Sequence, residues 1–259
     1  MVLLHGLGGC SFDWEHVAVA AGSAPAVAID APYHGGRPAQ GPLTFDALAR
    51  DTLHAVDALG FDRFILVGLS MGAATALTVM SLAPHRVLGA ALVAPAWLDE
   101  PEPPNLRSLQ RIGRLIARRG LTDAWTVQAS LPPLSTWSDL DRLAHRIRYL
   151  EFDPDAVAQA LIELPGRLPR LPRLLDASAR HLGNGAVKVV SWPGDQVHPR
   201  PLAARTAEVL GVPLVDLETR PADRVAEAAV HGRIIGDLRR CVDAAMAPSP
   251  ADGRPEEVL

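Results

Sequence analysis

The chain is nearly free of lysine and poor in cysteine. Lys188 is the only lysine among its 259 residues, and Cys10 and Cys241 are the only cysteines. Two thiols so far apart in sequence suggest neither a disulfide framework nor a metal site. A net charge of −4 excludes the basic footprint of nucleic-acid-binding proteins. No apolar run reaches the roughly 18 residues of a membrane span, and no signal-peptide pattern is present. The sequence therefore predicts a cytoplasmic protein with reduced thiols and no nucleic-acid or membrane partner.

Short apolar runs alternate with amphipathic stretches along the first hundred residues. The runs Val2–Leu4, Ala26–Ile29 and Phe64–Val67 each end in a turn of small residues, which is typical of buried parallel strands. Between the last two, Phe45 to Leu59 has helical spacing of apolar residues, and Thr44 is its predicted N-cap. Further strands are predicted over 87–93, 187–191 and 213–217, and further helices over 73–82, 203–210 and from about 224 or 231 to 246. This alternation predicts a three-layer α/β fold, with a mostly parallel sheet between helices.

The alternation is interrupted once. The segment 99–182 begins with a proline-rich stretch, carries amphipathic stretches at Leu106–Arg119 and Leu140–Phe152, and ends in further prolines. It predicts a helical cap inserted into a core formed by 1–98 and 183–246, and 247–259 is predicted to be a flexible tail.

The strongest chemical signal is the pentapeptide Gly68-Leu69-Ser70-Met71-Gly72. This G-x-S-x-G pattern lies between a predicted strand and a predicted helix, which is the context that a serine nucleophile requires. A strand that turns abruptly into a helix holds the serine in a strained conformation, and glycines two positions away on either side avoid a clash across the turn. The pattern predicts Ser70 as the nucleophile.

Three motifs in this order resemble the α/β-hydrolase superfamily. They are His5-Gly6-Leu7-Gly8-Gly9 after the first strand, Asp30-Ala31-Pro32-Tyr33-His34-Gly35-Gly36 after the second, and the serine pentapeptide. The resemblance covers roughly 1–98 and 185–246. It implies an oxyanion hole formed by the backbone N–H groups of Leu7 and Met71. It also implies two strands upstream of Val2, so we expect the encoded protein to be longer than this chain.

Histidines in these loops have simpler interpretations. His5 is expected to brace its loop by hydrogen bonding rather than to act as a base. His34 is expected to be a solvated loop residue, with the substrate entrance as the other possibility.

The acid is predicted to be Asp195. It follows the predicted strand Val187–Ser191 within Trp192-Pro193-Gly194-Asp195, and a turn at that point places a carboxylate at the edge of the sheet where sites form. Asp99 is the alternative.

The base is predicted to be His231. No histidine follows the last predicted strand directly, and Arg220-Pro221 interrupts any continuous helix, so His231 is placed just before a terminal helix 234–246. In the competing interpretation it is an ordinary residue within a longer helix. His198 is the rival base, but three residues from Asp195 is expected to be too close for the acid to orient it while it reaches Ser70.

These residues predict a cofactor-free, metal-free hydrolase of a small-molecule carboxylic ester, thioester or lactone, acting through an acyl-enzyme. Trp97, Trp125, Leu131 and Trp137 of the cap region are candidates for lining its pocket, although such aromatic residues more often pack within the cap itself. The alternative function is a non-hydrolytic member of the same fold, such as a lyase, a cyclase or a ligand-binding protein.

Overall fold

The structure is a computed structural model that describes residues 1–15, 17, 25–130, 138–172, 186–221 and 223–246. The predicted tail 247–259, the last part of the predicted cap at 173–182, and the pocket candidates Leu131 and Trp137 lie outside these residues.

Six parallel strands form one sheet in the described part of the chain, in the order β2-β1-β3-β4-β5-β6. The strands are β1 (Val2–Leu4), β2 (Val27–Ile29), β3 (Phe64–Leu69), β4 (Val87–Val93), β5 (Val187–Ser191) and β6 (Leu214–Asp216). Because all six run in the same direction, their carboxyl ends meet along one edge. The loops that follow β1, β3 and β5 therefore lie at the same edge of the sheet, with β4 between β3 and β5.

Seven α-helices lie in the described ranges. They are α1 (Phe45–Ala58), α2 (Met71–Leu82), α3 (Arg107–Ala129), α4 (Asp139–Leu150), α5 (Pro154–Glu163), α6 (Arg200–Leu210) and α7 (Arg224–Met246). The Thr44 side chain accepts a hydrogen bond from the Ala47 amide, as its predicted N-cap role requires. None of the described helices is both long and apolar enough to cross a membrane.

Apolar side chains cover both faces of the sheet. On one face β1, β3, β4 and β5 pack against α1, α2 and α6, with Leu66, Leu77 and Leu92 fully buried. On the other face, Trp14 and α7 cover the sheet, and Leu238 is fully buried there. The predicted three-layer α/β fold is confirmed.

Helices α3, α4 and α5 lie between β4 and β5 in the chain, where the cap is predicted. Helix α3 extends beyond the predicted end at Arg119 by kinking at Gly120, which has a φ of 80°. A side chain on Gly113 would lie 2.8 Å from Leu161 Cβ, so α3 and α5 approach as closely as glycine allows. The segment packs on the loop after β1 through Leu7, Cys10 and Phe12. That these helices form a separate cap remains a prediction.

Candidate active site

Ser70 occupies a strained turn between β3 and α2. Its φ of 54° and ψ of −108° lie in a backbone region that residues other than glycine rarely adopt. A Cβ on Gly68 would lie 2.2 Å from the Gly72 carbonyl oxygen, and one on Gly72 would lie 2.1 Å from the Leu4 carbonyl oxygen. Both glycines are therefore required by close backbone approach, as the pentapeptide predicts. The turn places Ser70 at the carboxyl edge of the sheet.

Ser70 is linked to an acid through His198. The Ser70 hydroxyl oxygen lies 2.9 Å from His198 Nε2, and His198 Nδ1 lies 3.0 Å from Asp195 Oδ2. The nitrogen that faces the carboxylate carries the proton, which leaves Nε2 unprotonated and able to accept the serine proton. This is the arrangement that activates a serine hydroxyl.

The short spacing between acid and base is made possible by the turn itself. Asp195 Oδ1 accepts hydrogen bonds from the backbone amides of Val197 and His198, each at 3.0 Å. These bonds fold the chain back, so the His198 ring lies beside the other carboxylate oxygen. The expectation that His198 is too close to Asp195 to meet Ser70 was wrong, because it ignored this turn. The spacing Asp-x-x-His before a proline was the available signal.

Asp195 is buried and surrounded by donors. Its Oδ2 also accepts a hydrogen bond from Trp192 Nε1 at 3.2 Å and lies 3.6 Å from the Arg220 guanidinium. Burial by itself raises the pKa of Asp195, but the hydrogen bonds and charge of His198, together with the charge of Arg220, hold the pKa well below its usual range. The carboxylate therefore stays ionised and can stabilise a protonated His198.

A second contact tethers this turn to the segment before α3. The Asn105 side-chain amide donates to the carbonyl oxygens of Val197 at 2.7 Å and Ala96 at 3.2 Å. Because Val197 immediately precedes His198, Asn105 fixes the backbone that carries the imidazole. Sequence reasoning did not identify this residue.

The predicted oxyanion donors belong to the residue after Ser70 and to the loop after β1. Met71 follows it directly, and a Cβ on Gly6, which precedes Leu7, would lie 3.6 Å from Ser70 Cβ. Neither the Leu7 nor the Met71 amide donates a hydrogen bond to another residue in the part of the chain that the structure describes. The Met71 amide is at the N-terminus of α2, where the helix dipole favours negative charge, whereas the Leu7 amide lies in the loop after β1.

His5 braces the loop after β1, as predicted. It accepts a hydrogen bond from the Ala31 amide at 3.0 Å on Nε2, and its Nδ1 lies 2.8 Å from the Gly6 carbonyl oxygen. His34 packs against it with ring centroids 5.1 Å apart. The expectation that His34 is a solvated loop residue was wrong, because only 1% of its surface is exposed.

His231 does not join the hydrogen bonds of Ser70 and Asp195. Helix α7 begins at Arg224 and continues through His231, so the predicted helix start after this residue was wrong. The His231 ring packs against Trp14, with centroids 5.7 Å apart, and its Nε2 has no hydrogen-bond partner among the described residues. His198 occupies the position between Ser70 and Asp195 that was predicted for His231. The physical reason is that α7 turns His231 into the core beneath the sheet.

The burial of His231 predicts acid sensitivity. Burial lowers its pKa to about 4, so between the ordinary histidine pKa of about 6.5 and pH 4 the unfolded chain binds a proton that the folded chain does not. Stability is thus lost as the pH falls through this range. In urea unfolding at pH 7 and pH 5, His231→Gln should reduce the pH-dependent loss of stability by about 2 kcal/mol relative to the unmodified chain.

His54, which is exposed on α1, provides the control for that comparison. His54→Gln should leave the difference in stability between pH 7 and pH 5 unchanged, because this side chain contacts solvent in the folded chain as it does in the unfolded chain. If His231→Gln also leaves the difference in unfolding free energy between pH 7 and pH 5 unchanged, His231 is not buried as a neutral ring.

The remaining candidates lie away from Ser70 or pack within the protein. Asp99, the alternative acid, forms an ion pair with Arg205 at 2.7 Å. Trp97 is buried edge-on against Phe45, and Trp125 stacks on His145, so both serve packing in the structure. No group of three or more potential metal ligands lies together in the described ranges.

The family model described as the alpha/beta hydrolase family matches residues 1–229. The chain belongs to this family. Over 103 residues, or 39% of the chain, this alpha/beta hydrolase is 39% identical to the dihydrolipoyllysine-residue acetyltransferase component of an acetoin-cleaving system from Pseudomonas putida. The matched segment covers 28% of the length of that relative.

Solved structures that share the fold of this alpha/beta hydrolase include an esterase and a lactonase. A thermophilic esterase from Thermogutta terrifontis superposes with a TM-score of 0.69 at 18% identity, covering 95% of this chain and 90% of the other. An enol-lactonase from Burkholderia xenovorans superposes with a TM-score of 0.69 at 18% identity, covering 92% and 90%. At 18% identity, these two comparisons show a shared fold and nothing beyond it.

Proposed function

We propose that the chain hydrolyses a carboxylic ester, thioester or lactone of a small molecule through an acyl-enzyme on Ser70. The observation that carries this proposal is the continuous hydrogen bonding from Ser70 through His198 to Asp195. In this proposal His198 replaces His231 as the base, while Ser70 and Asp195 keep their predicted roles.

The proposed reaction has an acylation step and a deacylation step. Ser70 Oγ attacks the acyl carbon as its proton passes to His198 Nε2, and the carbonyl electron pair moves to the oxygen facing the amides of Leu7 and Met71. When the tetrahedral intermediate collapses, the bond to the leaving alcohol or thiol breaks and His198 returns the proton to it. Water then attacks the acyl-enzyme with His198 again as base, which releases the carboxylic acid and restores Ser70.

Electrostatics supports each half of this cycle. Asp195 is held ionised and stabilises His198 while it carries the proton. The unpaired amides stabilise the tetrahedral intermediates, and losing one such donor typically costs about 10²- to 10³-fold in kcat. These steps need no cofactor, so we propose a cofactor-free hydrolase of a small-molecule substrate. We also propose that it acts in the cytoplasm. The esterase and lactonase chemistry of the structural neighbours is consistent with this class.

A fluorophosphonate probe tests the proposal directly. The unmodified chain should gain the mass of one probe less HF, on the peptide that contains Ser70, because an activated serine attacks phosphorus and displaces fluoride, whereas an unactivated one does not. Labelling is measured by intact-mass and peptide mass spectrometry.

Ser70→Ala and a heat-unfolded sample are the controls, and neither should be labelled. Hydrolysis of p-nitrophenyl acetate should be lost in the same two samples. A folded, unmodified chain that takes up no probe and hydrolyses no p-nitrophenyl ester would refute the serine hydrolase and favour a binding protein on the same scaffold.

A further inference from the structure

One oxygen of the Asp195 carboxylate is close to both an imidazole and a guanidinium. His198 Nδ1 and the Arg220 guanidinium both lie near Oδ2, at 3.0 and 3.6 Å. Arg220 comes from the loop after β6, whereas the acid and the base share one turn after β5. Asp195 has only 5% of its side chain exposed and Arg220 has 28%, so the ion pair is partly shielded from solvent.

We propose that Arg220 is a positioning residue whose charge sets the lower end of the pH range in which His198 acts as a neutral base. This inference rests on the proposed function, because it concerns the same proton relay. It assigns a role to a residue that contacts neither Ser70 nor the reacting bond.

The charges around His198 determine the direction of the effect. Ser70 faces its Nε2 and Asp195 its Nδ1, and Arg220 reaches the same carboxylate from the opposite loop. Arg200, at the start of α6, pairs with Asp216 instead. Asn105 approaches through an uncharged amide. Among the described residues, Arg220 is therefore a cation that shares the Asp195 carboxylate with the ring and opposes its protonation, while Asp195 favours protonation.

Removing the Arg220 charge should therefore make His198 easier to protonate. The neutral ring would then persist only at higher pH, and the acid limb of the pH–activity profile would shift to higher pH. One partly exposed charge several ångströms away is expected to produce a movement of about 0.5 to 1 pH unit. This corresponds to a rate about 3- to 10-fold lower on the acid side, with little change on the alkaline plateau.

A purely structural role for Arg220 predicts a different outcome. If the side chain only fills the space beside Asp195, its loss would lower activity by the same factor at every pH. Arg220→Lys separates the two roles, because it keeps the charge while losing the planar guanidinium.

The test follows the imidazole itself by NMR. The chain contains nine histidines, so in protein labelled at histidine the His198 ring signal is assigned as the one missing from His198→Gln. Its titration midpoint should rise by about 0.5 to 1 pH unit in Arg220→Gln and by less than about 0.2 in Arg220→Lys. Arg205→Gln, which removes an arginine from the exposed Asp99 pair, should leave the midpoint unchanged. An unchanged or lowered midpoint in Arg220→Gln would overturn the inference.

This readout does not depend on catalysis, so it separates the two proposals. Failure of the wild-type chain to react with the fluorophosphonate would contradict the proposed hydrolase and leave the titration shift as the measure of the Arg220 effect. In an active enzyme, the pH profile of labelling should move with the NMR midpoint. A loss of rate that is equal at all pH values in Arg220→Gln would reject the electrostatic role.

Discussion

Replacing His198 by alanine should lower kcat/KM for p-nitrophenyl acetate by about 10⁴- to 10⁶-fold, the loss typical of removing the base from a serine triad. The reason is the 2.9 Å contact between His198 Nε2 and the Ser70 hydroxyl, since no other imidazole in the described structure contacts that oxygen. Steady-state kinetics at pH 8 provides the measurement, and circular dichroism checks that the variant is folded.

His231→Gln is the matched comparison, because sequence reasoning favoured that residue as the base. In the structure it packs against Trp14 inside the core. The variant should retain kcat/KM within about 3-fold at pH 8, provided it remains folded, since it removes no contact to Ser70 or Asp195. A loss in His231→Gln as large as that in His198→Ala, with the fold intact, would show that the working enzyme uses hydrogen bonds different from those between Ser70, His198 and Asp195.

The largest expected effect on stability comes from Gly72→Ala. The added methyl group would lie 2.1 Å from the Leu4 carbonyl oxygen and 2.6 Å from its carbonyl carbon, so β1 and α2 would have to separate. Overpacking against rigid backbone, rather than against a flexible side chain, should cost at least about 3 kcal/mol of unfolding free energy. Urea unfolding measures this loss, and a variant found only in the insoluble fraction agrees with it.

Gly236→Ala tests whether the effect comes from the site or from the substitution. Gly236 lies within α7, and its nearest neighbour would be the flexible Arg240 guanidinium at 3.6 Å. Alanine should therefore maintain or raise stability, by up to about 1 kcal/mol, because it favours the helix. Equal behaviour of the two variants would contradict the close contact between β1 and α2.

Strands and helices could be predicted where the sequence has a clear apolar run or a capping residue. The limits of β1, β4 and β5 match their apolar runs, and the first helix begins at its predicted cap, Thr44. Helix α5 was not predicted, although Asp153 caps it by accepting two backbone hydrogen bonds. Its alanine-rich sequence gives little contrast between an apolar and a polar face, so periodicity did not reveal it.

The site was predictable where a motif dictates backbone geometry. Gly68 and Gly72 mark points where two backbone segments approach too closely for any side chain, and the structure places Ser70 between them in the strained conformation that the pentapeptide predicts. The choice of base failed because it depended on how a short turn folds. The two backbone hydrogen bonds to Asp195 Oδ1 bring His198 to Ser70, and linear spacing does not show them.

Asp195 and His198 lie within one four-residue turn, so the proposed proton relay takes its acid and its base from a single loop. The segment after β6 does not have to supply a histidine, so during evolution it is free to lengthen, shorten or change sequence if a positive charge stays near Asp195. Within the turn the opposite holds. One residue inserted between Asp195 and His198 would shift the imidazole away from both Ser70 and Asp195. We therefore expect homologues with the same activity to preserve that spacing most strictly.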